Sequence, residues 1–129
     1  MAKQLLLGNE AIAWGAIAAG VKVATAYPGT PSTEIFSTLA TQAKYYGFHA
    51  EWCVNEKVAL EVAYGSAISG ARTLVTMKQV GLNVAADPLL SGTYLGVKGG
   101  LVLVVADDPG PHSSQTEQDT RQFASFAKV

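Results

Sequence analysis

Residues 51–70, EWCVNEKVALEVAYGSAISG, contain the pattern that decides the fold, a short strand followed at once by a helix. The strand is expected to end at Val54. Asn55 and Glu56 are residue types preferred at a helix N-cap and in the first helical turn. Small apolar residues then continue to Gly70. Strands joined through helices are the units of parallel sheets, so this stretch predicts an α/β fold.

The rest of the chain repeats this alternation. Besides residues 48–54, apolar and β-branched runs predict strands at residues 21–26, 72–77 and 101–106. The last of these, LVLVVA, is expected to be buried on both faces. Helices are expected at residues 11–19, 31–45, 55–70, 78–97 and 117–127, with Asn9 and Thr30 as caps and a kink or division at Pro88. The pattern predicts a doubly wound, mainly parallel sheet with right-handed crossovers.

Composition places this chain among packed globular domains. Its 129 residues fit a single domain, residues 1–129, and 49% are hydrophobic while 15% are charged. A net charge of −1 gives no bulk attraction to nucleic acid or an anionic membrane. The first apolar run, residues 5–7, is too short for a signal sequence or a membrane span. With Cys53 alone no internal disulfide forms, and a cytoplasmic location is expected.

Ligands of parallel α/β sheets bind beyond the carboxyl ends of the strands. Polar segments follow three of the predicted strands, at residues 27–32, 55–56 and 107–115. None has the Gly-x-Gly-x-x-Gly or Walker A pattern of the common nucleotide sites. No His or Cys pair has metal-ligand spacing, so a metal held by this chain alone is not expected.

Each candidate segment also has a purely structural interpretation. Residues 27–34, YPGTPSTE, suit a carboxylate or phosphate oxygen but equally suit helix capping. Glu56 is either a helix-dipole residue or a carboxyl group that exchanges a hydrogen bond or a proton with a ligand. Asp107 and Asp108 are either a carboxylate pair for proton transfer or Mg²⁺, or turn residues that accept backbone N–H groups.

Four further residues are considered because each carries a reactive or charged group. Lys78 ends the third strand, where it reaches an anion or is solvated. His112 is a general base or an exposed loop residue. Cys53 is expected to be a small buried hydrophobe, and Glu61 a solvated helix residue.

Five ordered motifs together resemble a known family. They are GNEAIA from Gly8, ATAYPGTPSTEI from Ala24, EWCVNEKVALEVAYGSAISGAR from Glu51, MKQVGLNVAADPL from Met77 and GGLVLVVADDPGPHSSQTEQD from Gly99. Nearly the whole chain resembles the N-terminal part of the large subunit of indolepyruvate-type 2-oxoacid:ferredoxin oxidoreductases, which use thiamine diphosphate. The resemblance implies a pyrimidine-binding domain that is cut short after Val129, an N-terminal fragment of a larger subunit.

The resemblance also implies roles for individual residues. The family's glutamate that hydrogen-bonds N1′ of the aminopyrimidine matches Glu56, and it favours the tautomer that accepts the proton of thiazolium C2. A threonine near the substrate carboxylate matches Thr30, and Gly29 lets the backbone approach a ligand closely. Pyruvate-specific relatives commonly carry an arginine where this chain has Asp107 and Asp108, which favours an aryl pyruvate as the substrate.

By the same resemblance, the parent enzyme oxidatively decarboxylates an aryl pyruvate with coenzyme A and passes electrons to ferredoxin. The Gly-Asp-Gly segment for Mg²⁺ and pyrophosphate and the Cys clusters for iron–sulfur centres are absent from this sequence. A pyrophosphate-binding domain and a second subunit are expected to supply them, the fragment alone is expected to be inactive, and its exposed partner face predicts self-association. Another thiamine-dependent decarboxylase and a non-catalytic assembly module stay open as alternatives.

Overall fold

The computed structural model describes residues 4–129, in which strands and helices alternate along the chain. The strands are β1 (Val23–Ala26), β2 (His49–Trp52), β3 (Thr73–Lys78) and β4 (Leu101–Ala106). The helices are α1 (Gly8–Ala18), α2 (Thr33–Tyr46), α3 (Glu56–Ile68), α4 (Gln79–Val84), α5 (Ala86–Leu95) and α6 (Arg121–Ala127). Within residues 4–129, no helix has the length and apolar character needed to cross a membrane.

The four strands form one sheet in the order β2-β1-β3-β4, and every pairing is parallel. The predicted α/β class and parallel sheet are therefore confirmed. The chain moves outward from β1 to β2 and then returns past β1 to β3. The carboxyl ends of β1 and β3 thus flank the point at which the order reverses, where open α/β sheets bind ligands.

Helices cover both faces of the sheet, which confirms the doubly wound arrangement. Adjacent β3 residues point to opposite faces, so Leu74 packs with α1 and α2 while Val75 packs with α3 and the helices near it. One core includes Ala13, Ala24, Ile35, Phe36 and Leu39, and the other includes Ala59, Leu60, Met77, Leu82 and Leu89.

The prediction that LVLVVA is buried on both faces is wrong. β4 is an edge strand that pairs only with β3, and Val102 is 55% exposed. On that face, residues of α1 including Ile12 and Ala16 line a groove of about 320 Å³ with Val102 and Val104. Hydrophobicity identified the strand correctly, but it did not reveal the position of the strand in the sheet.

Two predicted helix caps are also wrong. Leu7 is the N-cap of α1, while Asn9 donates from Nδ2 to the Pro31 carbonyl at 2.8 Å. Ser32 is the N-cap of α2, and Thr30 lies before the helix. The Gly29 carbonyl accepts hydrogen bonds from the next backbone N–H groups, at residues 32 and 33, so a separate turn precedes α2.

The boundaries of the later helices differ for local reasons. The predicted helix over residues 78–97 is divided, as expected, but the break lies at Ala85 and Pro88 occupies the first turn of α5. α6 begins at Arg121 and not at Glu117. Asp107 accepts hydrogen bonds from the backbone and hydroxyl of Thr120, which keep the preceding residues in a loop.

Candidate functional site

Polar residues from all four strand ends meet at the carboxyl edge of the sheet. The sequence indicated the segments after β1, β2 and β4, and residues after β3 join them together. Lys78 contacts Gly29 in the segment after β1 and Gln115 in the loop after β4. Gly81 contacts Glu56, which begins the helix after β2. The candidate site is therefore built around the end of β3.

Glu56 is the first residue of α3 and is nearly buried, with 6% of its surface exposed. The Asn55 side chain caps the helix by accepting the Val58 N–H at 2.9 Å, which confirms the predicted N-cap. Among residues 4–129, no donor hydrogen-bonds the Glu56 carboxylate and no cation pairs with it. Its oxygens are nevertheless not fully enclosed, because within residues 4–129 the fully buried side-chain polar atoms without a partner are Thr76 Oγ1 and Gln79 Oε1. The Glu56 carboxylate therefore keeps contact with the surface at the edge of the sheet where ligands of such folds bind.

Gly81 provides the space that the Glu56 side chain occupies. A Cβ atom added to Gly81 would lie 2.5 Å from Oε1 and 2.7 Å from Cγ of Glu56. Real Cβ contacts are longer than this, so a larger residue at position 81 would displace the carboxylate. The glycine of α4 thus leaves the space in which the acid on α3 lies.

Lys78 lies over the loop that follows β1. A Cβ added to Gly29 would lie 2.8 Å from Cδ and 2.9 Å from Cγ of Lys78, so the lysine methylenes cover the glycine directly. Its Nζ donates to Oε1 of Gln115 at 2.7 Å. The structure thus brings together Gly29, Lys78 and the loop after β4.

Asp107 and Asp108 organise that loop. Oδ2 of Asp108 accepts the backbone N–H groups of His112, Ser113 and Ser114 at 3.1, 2.8 and 2.7 Å. These hydrogen bonds, chiefly those from Ser113 and Ser114, hold the Asp108 pKa below its usual value. Asp107 accepts from the Thr120 backbone at 2.9 Å and from its hydroxyl at 2.6 Å. The turn interpretation of both aspartates is confirmed.

Gln79 is a site residue that the sequence did not single out. It is fully buried, and Nε2 donates to the Ser114 hydroxyl at 2.8 Å and the Thr116 carbonyl at 2.9 Å. The carbonyl can only accept, which fixes the amide orientation and leaves Oε1 without a donor in the described chain. A polar residue directly after the apolar strand in MKQVGLN was the signal that could have identified it.

Within residues 4–129, the remaining candidates make no hydrogen bond or ion pair with Glu56. Thr30 is exposed, and its hydroxyl has no hydrogen-bond partner in residues 4–129. His112 is exposed and joins the loop through its backbone N–H. Glu61 is an exposed helix residue 3.9 Å from Lys57, as expected. Cys53 is buried, which confirms the prediction of a small buried residue. Its burial, and to a smaller extent the charge of Glu51, raises the pKa of the thiol.

The described chain offers no preformed metal centre. Over residues 4–129, no group of three or more His, Cys, Asp and Glu side chains is arranged to hold a metal ion. The Glu56 carboxylate can accept a hydrogen bond from a ligand, because a carboxylate is an acceptor and residues 4–129 supply it with no donor.

Comparison with known proteins identifies a matching family model and similar proteins. Residues 14–107 match the family model described as pyruvate flavodoxin/ferredoxin oxidoreductase, thiamine diP-bdg. The chain is 56% identical to indolepyruvate oxidoreductase subunit IorA of Archaeoglobus fulgidus, over 98% of this chain and 21% of that protein. It is 57% identical to the IorA subunit of Thermococcus kodakarensis, over 97% of this chain and 19% of that protein.

A solved structure shares the fold. The 2-oxoglutarate:ferredoxin oxidoreductase of Magnetococcus marinus, with 2-oxoglutarate, coenzyme A and succinyl-CoA bound, superposes with a TM-score of 0.78 at 22% identity. The match covers 92% of this chain and 21% of that one. The chain therefore spans about a fifth of the length of these relatives.

Proposed function

Because this chain belongs to the thiamine diphosphate-binding family of pyruvate flavodoxin/ferredoxin oxidoreductases, we propose that it is the pyrimidine-binding domain of an indolepyruvate-type oxidoreductase. The observation that carries the proposal is Glu56 at the ligand-binding edge of the sheet: 6% of the residue is exposed, and its carboxylate has no hydrogen bond or ion pair from residues 4–129 and keeps contact with the surface. The domain is the N-terminal part of a larger subunit.

The site fits the cofactor because Glu56 supplies a hydrogen-bond acceptor and the aminopyrimidine ring supplies a donor. The protonated N1′ of an aminopyrimidine is a donor for Glu56, and hydrogen bonding to a buried carboxylate is strong. Once bound, thiamine diphosphate supplies the nucleophilic carbon and the electron sink that decarboxylation of a 2-oxoacid requires. Glu56 holds the proton at the pyrimidine ring, while Gly81 leaves room for the carboxylate.

The loop after β1 is proposed to contact cofactor and substrate. Gly29 lies at the switch point between β1 and β3, where the Lys78 methylenes occupy the space that a side chain would take, so its proposed contact with the cofactor is through the backbone. The exposed hydroxyl of Thr30 stands next to it in the chain and is available to donate to a substrate carboxylate. Both residues belong to the segment whose turn ends at the N-cap Ser32.

The remaining chemistry belongs to other parts of the enzyme. A pyrophosphate-binding domain holds Mg²⁺, a second subunit completes the assembly, and iron–sulfur clusters carry electrons from the substrate to ferredoxin. Coenzyme A accepts the acyl group. The exposed Val102 face of β4 is expected to support self-association of the isolated chain. The isolated chain is expected to be inactive. The complete enzyme is expected to be cytoplasmic.

The test replaces Glu56 in the complete enzyme that carries this domain. Ferredoxin reduction is measured with indolepyruvate and coenzyme A. Glu56→Gln is expected to lower turnover by about 10²- to 10⁴-fold, the range associated with loss of acid–base catalysis. Glu61→Gln is the matched control, since Glu61 lies on the same helix but is exposed.

Two outcomes would contradict the proposal. Unchanged turnover of Glu56→Gln would leave the domain with a binding or assembly role only. Release of an aldehyde without coenzyme A or an electron acceptor would assign the domain to a thiamine-dependent decarboxylase instead.

A further inference from the structure

Lys78 lies at the carboxyl end of β3, at the edge of the sheet where open α/β sheets bind ligands. It ends β3, one of the two strands that flank the switch point, and its register partner on β4 is Ala106. Alternation along β3 places it on the same face as Leu74, toward α2 and the loop after β1. The contact with Gly29 agrees with that direction.

The charge of Lys78 is not neutralised by the chain. Two other cations have carboxylate partners, since Lys57 lies 2.7 Å from Asp87 and Arg121 lies 2.6 Å from Asp119. Within residues 4–129, no carboxylate oxygen lies within 4.0 Å of the Lys78 ammonium, whose partner is the neutral amide of Gln115. An ammonium held by a neutral oxygen keeps its attraction for an anion.

The partner amide is held by an organised loop. Asp108 accepts three backbone N–H groups just before Gln115, and the buried Gln79 donates to residues 114 and 116 on either side of it. Oε1 of Gln115 accepts from Lys78, which leaves the Gln115 NH₂ group as a second donor. The Lys78 ammonium and the Gln115 amide thus both supply N–H donors to an anion at this edge of the sheet.

We propose that Lys78, with Gln115 beside it, binds the carboxylate of the 2-oxoacid substrate. The inference rests on the proposed function and adds to it a specific residue for substrate recognition. Lys78 is a binding residue in this proposal, and Glu56 keeps the role in proton transfer.

The experiment compares two unreactive ligands in the complete enzyme. 3-Phenylpropanoate and 3-phenylpropanamide have the same aryl group, but only the first has a carboxylate. Competitive inhibition constants are measured for wild type, Lys78→Met, Lys78→Arg and Lys44→Met, together with the Kd of thiamine diphosphate. Lys44 is an exposed residue in the last turn of α2 and serves as the control.

Wild type and Lys44→Met are expected to prefer the acid over the amide by about 10- to 100-fold, as a charged hydrogen bond predicts. Lys78→Met is expected to lose this preference with an unchanged Kd for thiamine diphosphate, and Lys78→Arg to retain part of it. The KM for indolepyruvate should rise more than kcat falls in Lys78→Met.

The outcomes separate the two proposals. A wild-type enzyme that does not oxidise indolepyruvate contradicts the proposed function. An enzyme that oxidises it, but whose preference for the acid survives Lys78→Met, contradicts the assignment of Lys78 alone. Weaker binding of thiamine diphosphate in Lys78→Met would also overturn the assignment, because the lysine would then serve the cofactor.

Discussion

Two acidic residues that follow strands, Glu56 after β2 and Asp108 after β4, have opposite surroundings. Asp108 accepts three backbone N–H groups from residues 112–114. Glu56 is buried against Gly81 and accepts no hydrogen bond from residues 4–129. The first carboxylate has its partners within the chain and stabilises a loop. The second lacks a partner, and this lack is what indicates a ligand.

The comparison shows that hydrogen-bond partners, and not residue type, separate a structural acid from a functional one. Both acids occur at strand ends and both have plausible turn or capping roles in the sequence. A structural carboxylate is already satisfied in the isolated chain. A carboxylate without a partner in the chain is able to accept a hydrogen bond from a ligand.

The largest expected effect is the difference in turnover between variants of Glu56 and variants of Asp108. In the complete enzyme, Glu56→Gln should lower turnover by about 10²- to 10⁴-fold, while Asp108→Asn should stay within about tenfold of wild type. The measurement is ferredoxin reduction with indolepyruvate. Similar losses for both variants would remove the distinction between the residues.

Moving Glu56 without replacing it should have an intermediate effect. Gly81→Ala places a methyl group 2.5 Å from the present position of Oε1, so turnover is expected to fall by about 10- to 100-fold. Gly65→Ala is the control, because it lies on α3 with no atom within 4 Å of the added Cβ. That control should stabilise the isolated chain by roughly 0.5–1 kcal/mol and leave turnover unchanged. Wild-type turnover of Gly81→Ala would contradict the steric role of the glycine.

In thermal unfolding of the 129-residue chain, replacing Asp108 should have a larger effect than replacing Glu56, which is the opposite of the order expected for turnover. Asp108→Ala removes the acceptor for three N–H groups, and its melting temperature should fall by several degrees. Glu56→Gln removes a carboxylate that makes no hydrogen bond or ion pair in residues 4–129, so its melting temperature should be close to that of wild type. Circular dichroism measures both, and a lower melting temperature for Glu56→Gln would reveal a structural role that the contacts do not show.

The smallest effect is the pH dependence of the loop. The Asp108 pKa is lowered in the folded chain by the N–H groups of Ser113 and Ser114. Its stabilisation is therefore fully present above the unfolded value of about 3.9 and is lost as the pH falls through the lower folded value. The amide NMR signals of Ser113 and Ser114 should shift only below about pH 3.9, and Asp108→Asn should abolish that transition. A transition above that pH would contradict the hydrogen-bond assignment.

The sequence predicted the parallel α/β fold, the strands and the cap at Asn55, because hydrophobic periodicity and capping preferences act locally. The exposed face of β4 could not be predicted, since its six apolar residues say nothing about the position of the strand in the sheet. The contact between Gly81 and Glu56 joins two helices that are distant along the chain, so it could not be predicted from local sequence patterns.

The role of Gln79 was missed for a similar reason. Its partners, Ser114 and Thr116, lie more than thirty residues away along the chain. Residue types at strand ends thus indicated the edge of the sheet that holds the site, while the assignment of individual roles required the contacts.

The central claim is that the Glu56 carboxylate acts on the pyrimidine ring of bound thiamine diphosphate. The most direct test is the rate at which the C2 hydrogen of the bound cofactor exchanges with deuterium in the complete enzyme, without substrate. Glu56→Gln, saturated with cofactor, should exchange about 10²- to 10⁴-fold more slowly than wild type. An unchanged exchange rate in fully loaded Glu56→Gln would contradict the claim.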